Sequence, residues 1–84
     1  MIDYDQILLL LKECDTFLKD LDYLYDVERC KIANLTGSVL WKSSKSIDPE
    51  KIERVLAAIT VFKVYKLSRL ELQSMYTYAQ LLLR

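Results

Sequence analysis

The chain has 84 residues, enough for one domain, with no His and only two Cys, so no conventional zinc set and no His-activated nucleophile is present. Single copies of Gly and Pro beside 52% apolar residues exclude sandwiches and barrels, which need frequent turn residues, and point to helices. Twelve bases balance twelve acids, which argues against a strong phosphate footprint. The charge is unevenly spread: residues 1–29 carry −5 and residues 30–84 carry +5, so the two parts should attract within one chain or between two.

The first helix is signalled by Asp3 as N-cap, with Gln6 as the capping-box partner and Ile2 and Ile7 as a hydrophobic staple. An apolar stripe follows at Ile7, Leu10, Leu11, Cys14, Phe17, Leu18, Leu21, Leu24 and Tyr25, the pattern of a helix facing a bundle core. The stripe loses its regularity around Glu28 and Lys31. Helicity is expected over about 4–34 or longer, with a weak point near residues 35–38, where Gly37 lowers the signal. The polar stretch Lys42-Ser43-Ser44-Lys45-Ser46 marks a loop over about 42–47.

Asp48 then reads as an N-cap, with Pro49 at the first helical position and Glu50 beside the positive helix end. This predicts a helix over about 49–64, with its stripe at Ile52, Val55, Leu56, Ile59 and Phe62 and a Glu50–Arg54 pair one turn apart. Ser68 and Glu71 form a further capping-box pattern, predicting a break at Tyr65–Leu67 and a last helix over about 69–83. That helix places Leu72, Met75, Tyr76, Ala79, Leu82 and Leu83 on one broad face and Leu70, Tyr78 and Leu81 elsewhere. The expected architecture is all-α: a single-domain antiparallel bundle of three helices, or four if the first is broken near 35–38.

No constellation in the sequence carries catalysis. Asp20, Asp22 and Asp26 suggest a calcium loop, but Leu24, Tyr25 and Lys31 stand where that loop needs an oxygen ligand, a Gly and a Glu, so a solvated helix face is the better reading. Cys14 lies on the apolar stripe and reads as a small buried residue, and no Gly-rich phosphate cradle exists. The chain is therefore expected not to be an enzyme and to hold no cofactor and no metal. Trp41 beside Lys42 and Lys45 fits a core anchor, a protein-interface anchor or, less well, a nucleic-acid contact.

The apolar surplus of the last two helices and the six Tyr favour a protein surface as the ligand. The sequence thus predicts a small helical protein–protein interaction module: an adaptor, complex subunit or chaperone-like protein, dimeric or in a hetero-complex. Its candidate contact residues are Trp41, Val61, Val64, Leu70, Tyr78 and Leu81. The alternative is a helix-turn-helix regulator built on the last two helices, disfavoured because the last helix offers few polar residues for base edges. The start of the chain lacks a basic segment ahead of an apolar run, and no apolar run reaches the ~20 residues of a membrane span. A cytoplasmic location with reduced thiols is expected.

Overall fold

A computed structural model describes residues 2–21, 25–43 and 46–84. Among these residues the chain is all-helical, with four helices: α1 (Tyr4–Lys19), α2 (Asp26–Lys42), α3 (Pro49–Val64) and α4 (Ser68–Leu82). The break in the first predicted helix is real but lies about fifteen residues earlier than Gly37, between Lys19 and Asp26. A straight helix over 4–34 would be about 46 Å long at 1.5 Å per residue. The molecule is only 34 Å in its longest dimension. Asp20 caps the C-terminus of α1, and Asp26 and Glu28 sit in the first turn of α2, where the helix dipole favours them. Asp20 and Asp26, the described members of the acidic cluster, thus lie at the ends of two different helices rather than on one helix face. Asp22, Tyr23 and Leu24 of that cluster and stripe lie outside the described residues, as does Lys45 of the basic loop.

Two of the three capping signals hold. The Asp3 carboxylate accepts a hydrogen bond from the Gln6 backbone N–H at 3.1 Å, and Asp48 accepts one from that of Glu50 at 3.0 Å with Pro49 behind it. Ser68 is already inside α4, whose N-cap is Leu67 without a side-chain hydrogen bond, so the third capping box does not form. The α3–α4 turn is built instead from the end of α3. Lys66 adopts a left-handed φ of 59°. Leu67 N–H reaches back to the Phe62 carbonyl at 2.8 Å and Lys66 N–H to that of Lys63 at 3.1 Å. This is a Schellman ending with Lys where Gly is usual.

α2 is the central element and touches α1, α3 and α4, while α3 and α4 also pack on each other. Covered from three sides, α2 needs no single apolar stripe, which is why its sequence pattern looks irregular. The core is narrow: Val39 of α2, Val55, Ala58 and Phe62 of α3, and Leu81 of α4, with the small polar residues Ser74 and Thr77 buried among them. Gly37 sits inside α2 at the closest approach of the other two helices. A Cβ added there would lie 2.8 Å from Val55 Cγ2, 3.1 Å from Leu81 Cδ1 and 3.1 Å from Thr77 Cγ2. The helix continues through Gly37 because a missing side chain lets α3 and α4 seat against it.

α1 packs on α2 alone and buries no residue fully. A charge cluster adds to this packing and links α1 to α3 as well. Asp15 accepts hydrogen bonds from Arg29 Nε of α2 at 3.0 Å and from Arg54 Nη1 of α3 at 3.0 Å, and Glu50 flanks Arg54 at 3.5 Å. The attraction between the acidic first part and the basic second part is realised here, through Arg54. At the other end of α2, Arg84 donates to the carbonyls of Leu40 at 2.9 Å and Trp41 at 2.8 Å, placing a cation on the negative end of the helix.

Candidate functional site

The face of α4 expected to be buried is the face in solvent. Leu72, Met75, Tyr76, Leu82 and Leu83 are all exposed, Leu82 at 62% and Leu83 at 84%, and Ala79 is exposed with them. The buried face is Ser74, Thr77 and Leu81. Leu81 is the one large side chain among them; positions 74 and 77 hold small residues where α4 packs against α2 and α3, and a Leu or Met at either would overfill the space. The larger apolar residues are left outside at 72, 75, 76, 79, 82 and 83, which are positions a, d and e of two heptads.

Beside this face lies a groove between α2 and α4, lined by Leu35, Leu70, Leu72 and Tyr76 with Phe62 and Asn34 also contributing. Leu35 is exposed, and the Asn34 side-chain oxygen is buried without a hydrogen-bond partner among the described residues. α1 has a parallel surplus: Leu10, Cys14, Phe17 and Leu21 form a solvent-facing stripe. Cys14, expected in the core, is on the surface because α1 turns Ile7, Leu8, Leu11, Asp15 and Leu18 towards its neighbours.

The molecule as a whole is over-exposed for its size. It presents 6125 Å² to solvent. A folded monomer of its 9.9 kDa mass presents about 5,200 Å². The difference is of the order of one partner's share in a standard protein–protein interface, ~800 Å².

The six residues singled out from the sequence do not form one surface. Leu81 is 2% exposed and belongs to the core, packed over Gly37, so it is removed from the contact set. Val64 is 71% exposed at the end of α3. Trp41, Val61, Leu70 and Tyr78 are half-buried. Leu70 lines the α2–α4 groove, whereas Val61 lines a separate shallow concavity with Cys30, Arg29 and Asp15. The stronger surface is the α4 face that the hydrophobic pattern assigned to the interior. What the pattern lacked was the notch: Gly37 opposite Thr77 and Leu81 signals close helix approach, but only once the pairing of helices is known.

Three titratable groups among the described residues are shifted: Asp15, its partner Arg29, which the Asp15 hydrogen bond pushes up, and Cys30. Partial burial pushes the Asp15 carboxyl upward, but the hydrogen bonds and charges of Arg29 and Arg54 outweigh it and hold the group below the ordinary carboxylate range. Burial, reinforced by the nearby Asp26 charge and opposed by Arg29, pushes the Cys30 thiol up. Both Cys are free. A cleft of about 280 Å³ between α1, α2 and α3 has apolar walls, including Leu8, Leu11, Ile32 and Leu40, with Lys12, Lys51 and the Asp15–Arg54 pair also lining it. No helix among the described residues is long and apolar enough to cross a membrane. Compared with known proteins, the chain matches no protein-family model, no curated protein and no solved structure.

Proposed function

We propose that this chain is a non-catalytic protein–protein interaction module, an adaptor or complex subunit whose working surface is the exposed face of α4. One observation carries the reading: six apolar residues in heptad register on α4 face solvent while the same helix packs into its own bundle through Ser74, Thr77 and Leu81. Contiguous apolar faces of this kind are costly to leave in water and mark docking sites. A helix laid along the face, with its own apolar stripe inward, is the occupant that the spacing fits. The free thiols are in keeping with a reducing, cytoplasmic setting. The same face counts against the helix-turn-helix alternative. α3 and α4 are joined by a tight turn, but the outward side of α4 offers no cation at these six positions.

The test is a comparison of immobilised wild type with Leu82→Glu, which alters the face without touching the core. Proteins or chains retained by the wild type and lost by Leu82→Glu would support docking at α4. Equal retention by both would remove this face from the function.

A further inference from the structure

We infer that the occupant of the α4 face is α4 of a second copy of this chain, laid antiparallel about a two-fold axis. The inference rests on the docking reading above and names its partner. Three observations favour a second copy. First, the exposed pattern is self-complementary. In an antiparallel pair, a positions of one helix face d positions of the other, so Leu72 falls opposite Leu82, and Met75 falls opposite Ala79. The two-fold repeats both layers. Each layer at the middle joins a long flexible side chain to a small one, which permits close approach; each outer layer joins two Leu. Second, none of the six positions carries a charge, so the seam brings no like charges together. Third, the area is adequate. The six residues leave roughly 600 Å² in solvent, so two copies covering them completely would bury at most about 1,200 Å², the lower end of a specific interface.

Among the described residues, no helix other than α2 and α3 packs on α4. α1, which carries the other exposed stripe, packs on α2 and has no contact with α4. Leu82 is 62% exposed in the single copy, so substituting it reports on pairing rather than on folding. Leu72 also borders the α2–α4 groove, so the helicity of its variant is checked by circular dichroism alongside the mass.

The experiment is sedimentation equilibrium of the full chain up to about 500 µM, a range that covers dissociation constants of tens of micromolar. The expected result is a mass rising with concentration from 9.9 kDa to twice that value. Leu72→Lys and Leu82→Glu should each remain monomeric, with pairing weakened at least about 100-fold and with thermal midpoints equal to that of wild type at concentrations low enough for wild type to be monomeric. Mixing the two variants in equal amounts should restore the doubled mass, because the ammonium introduced in one chain then lies opposite the carboxylate introduced in the other. In a parallel pair the two positions are far apart and mixing restores nothing. A wild type that stays at 9.9 kDa throughout, variants that pair as well as wild type, or a mixture that stays monomeric would each overturn the proposal. A monomeric wild type that still retains other proteins through Leu82 would leave docking standing and refute self-pairing alone.

Discussion

Replacing Gly37 by Ala sets two known effects against each other, and the structure decides between them. Ala is favoured over Gly inside a helix by about 1 kcal/mol. Against this, the new Cβ lands 2.8 Å from Val55 Cγ2 and 3.1 Å from both Leu81 Cδ1 and Thr77 Cγ2. Val55 is fully buried and β-branched in a helix, so it has essentially one rotamer and cannot swing aside. Relief requires moving α3 or α4 outward by several tenths of an ångström, and overpacking of this kind costs about 1–3 kcal/mol. The methyl enters from α2 against both neighbouring helices, which puts the cost in the upper half of that range. The net expectation is a destabilisation of about 1–2 kcal/mol and a thermal midpoint lowered by roughly 5–10 °C for a domain of this size. Circular dichroism at 222 nm during a reversible melt measures it. In a Val55→Ala background the nearest methyl is gone, and the same substitution should become neutral or stabilising, a coupling of about 1 kcal/mol or more. A Gly37→Ala protein that melts at or above the wild-type temperature would refute the notch.

Ser74→Ala removes a fully buried hydroxyl that has no hydrogen-bond partner among the described residues, so stability should rise by about 0.5–1 kcal/mol; a loss of more than about 1 kcal/mol in urea unfolding would contradict the placement. Asp15 has a depressed folded-state pKa, so its contribution is present above the ordinary carboxylate range and disappears as pH falls through the folded value. Asp15→Asn should therefore cost about 1–2 kcal/mol at pH 7 and flatten the acid limb of the stability profile below about pH 4; an unchanged acid limb would count against the Arg29–Asp15–Arg54 cluster. At pH 8, Ellman's reagent should modify the exposed Cys14 first and Cys30 several-fold more slowly, because the Cys30 thiol is half-buried and its pKa is raised; equal rates or the reverse order would contradict this.

The helical class, the starts of α1 and α3 and the α3–α4 break were legible because each has a local cause. Asp3, Asp48 and Pro49 act on the backbone within a turn of themselves. One failure is local, the Ser68 capping box, whose place the Schellman turn at Lys66 takes; the others are tertiary. The Asp20–Asp26 segment reads as a solvated helix face until the length of an unbroken helix is set against the size of the body it must fit. Gly37 reads as a weak point, yet it is the best-packed position in α2. The α4 stripe has the right period for a core face, but periodicity says which residues share a face and nothing about which way the face turns. That direction was set by the fit of Ser74, Thr77 and Leu81 into the notch. The α4 face was therefore legible only as a group of residues: its direction was missed, and none of the six contact residues named from the sequence lies on it.

The peripheral seat of α1 also divides the molecule in time. α2, α3 and α4 touch one another in all three pairings, while α1 leans on α2 and is held to α3 through one carboxylate. A segment with no fully buried side chain opens at a free energy well below that of global unfolding. Amide exchange in Tyr4–Lys19 should thus run orders of magnitude ahead of that in α2, and each opening bares Ile32, Ala33 and Leu40 from the walls of the cleft. Asp15 is the carboxylate that joins α1 to both α2 and α3, so acid or high salt, by weakening its pairs with Arg29 and Arg54, should speed exchange in Tyr4–Lys19 further.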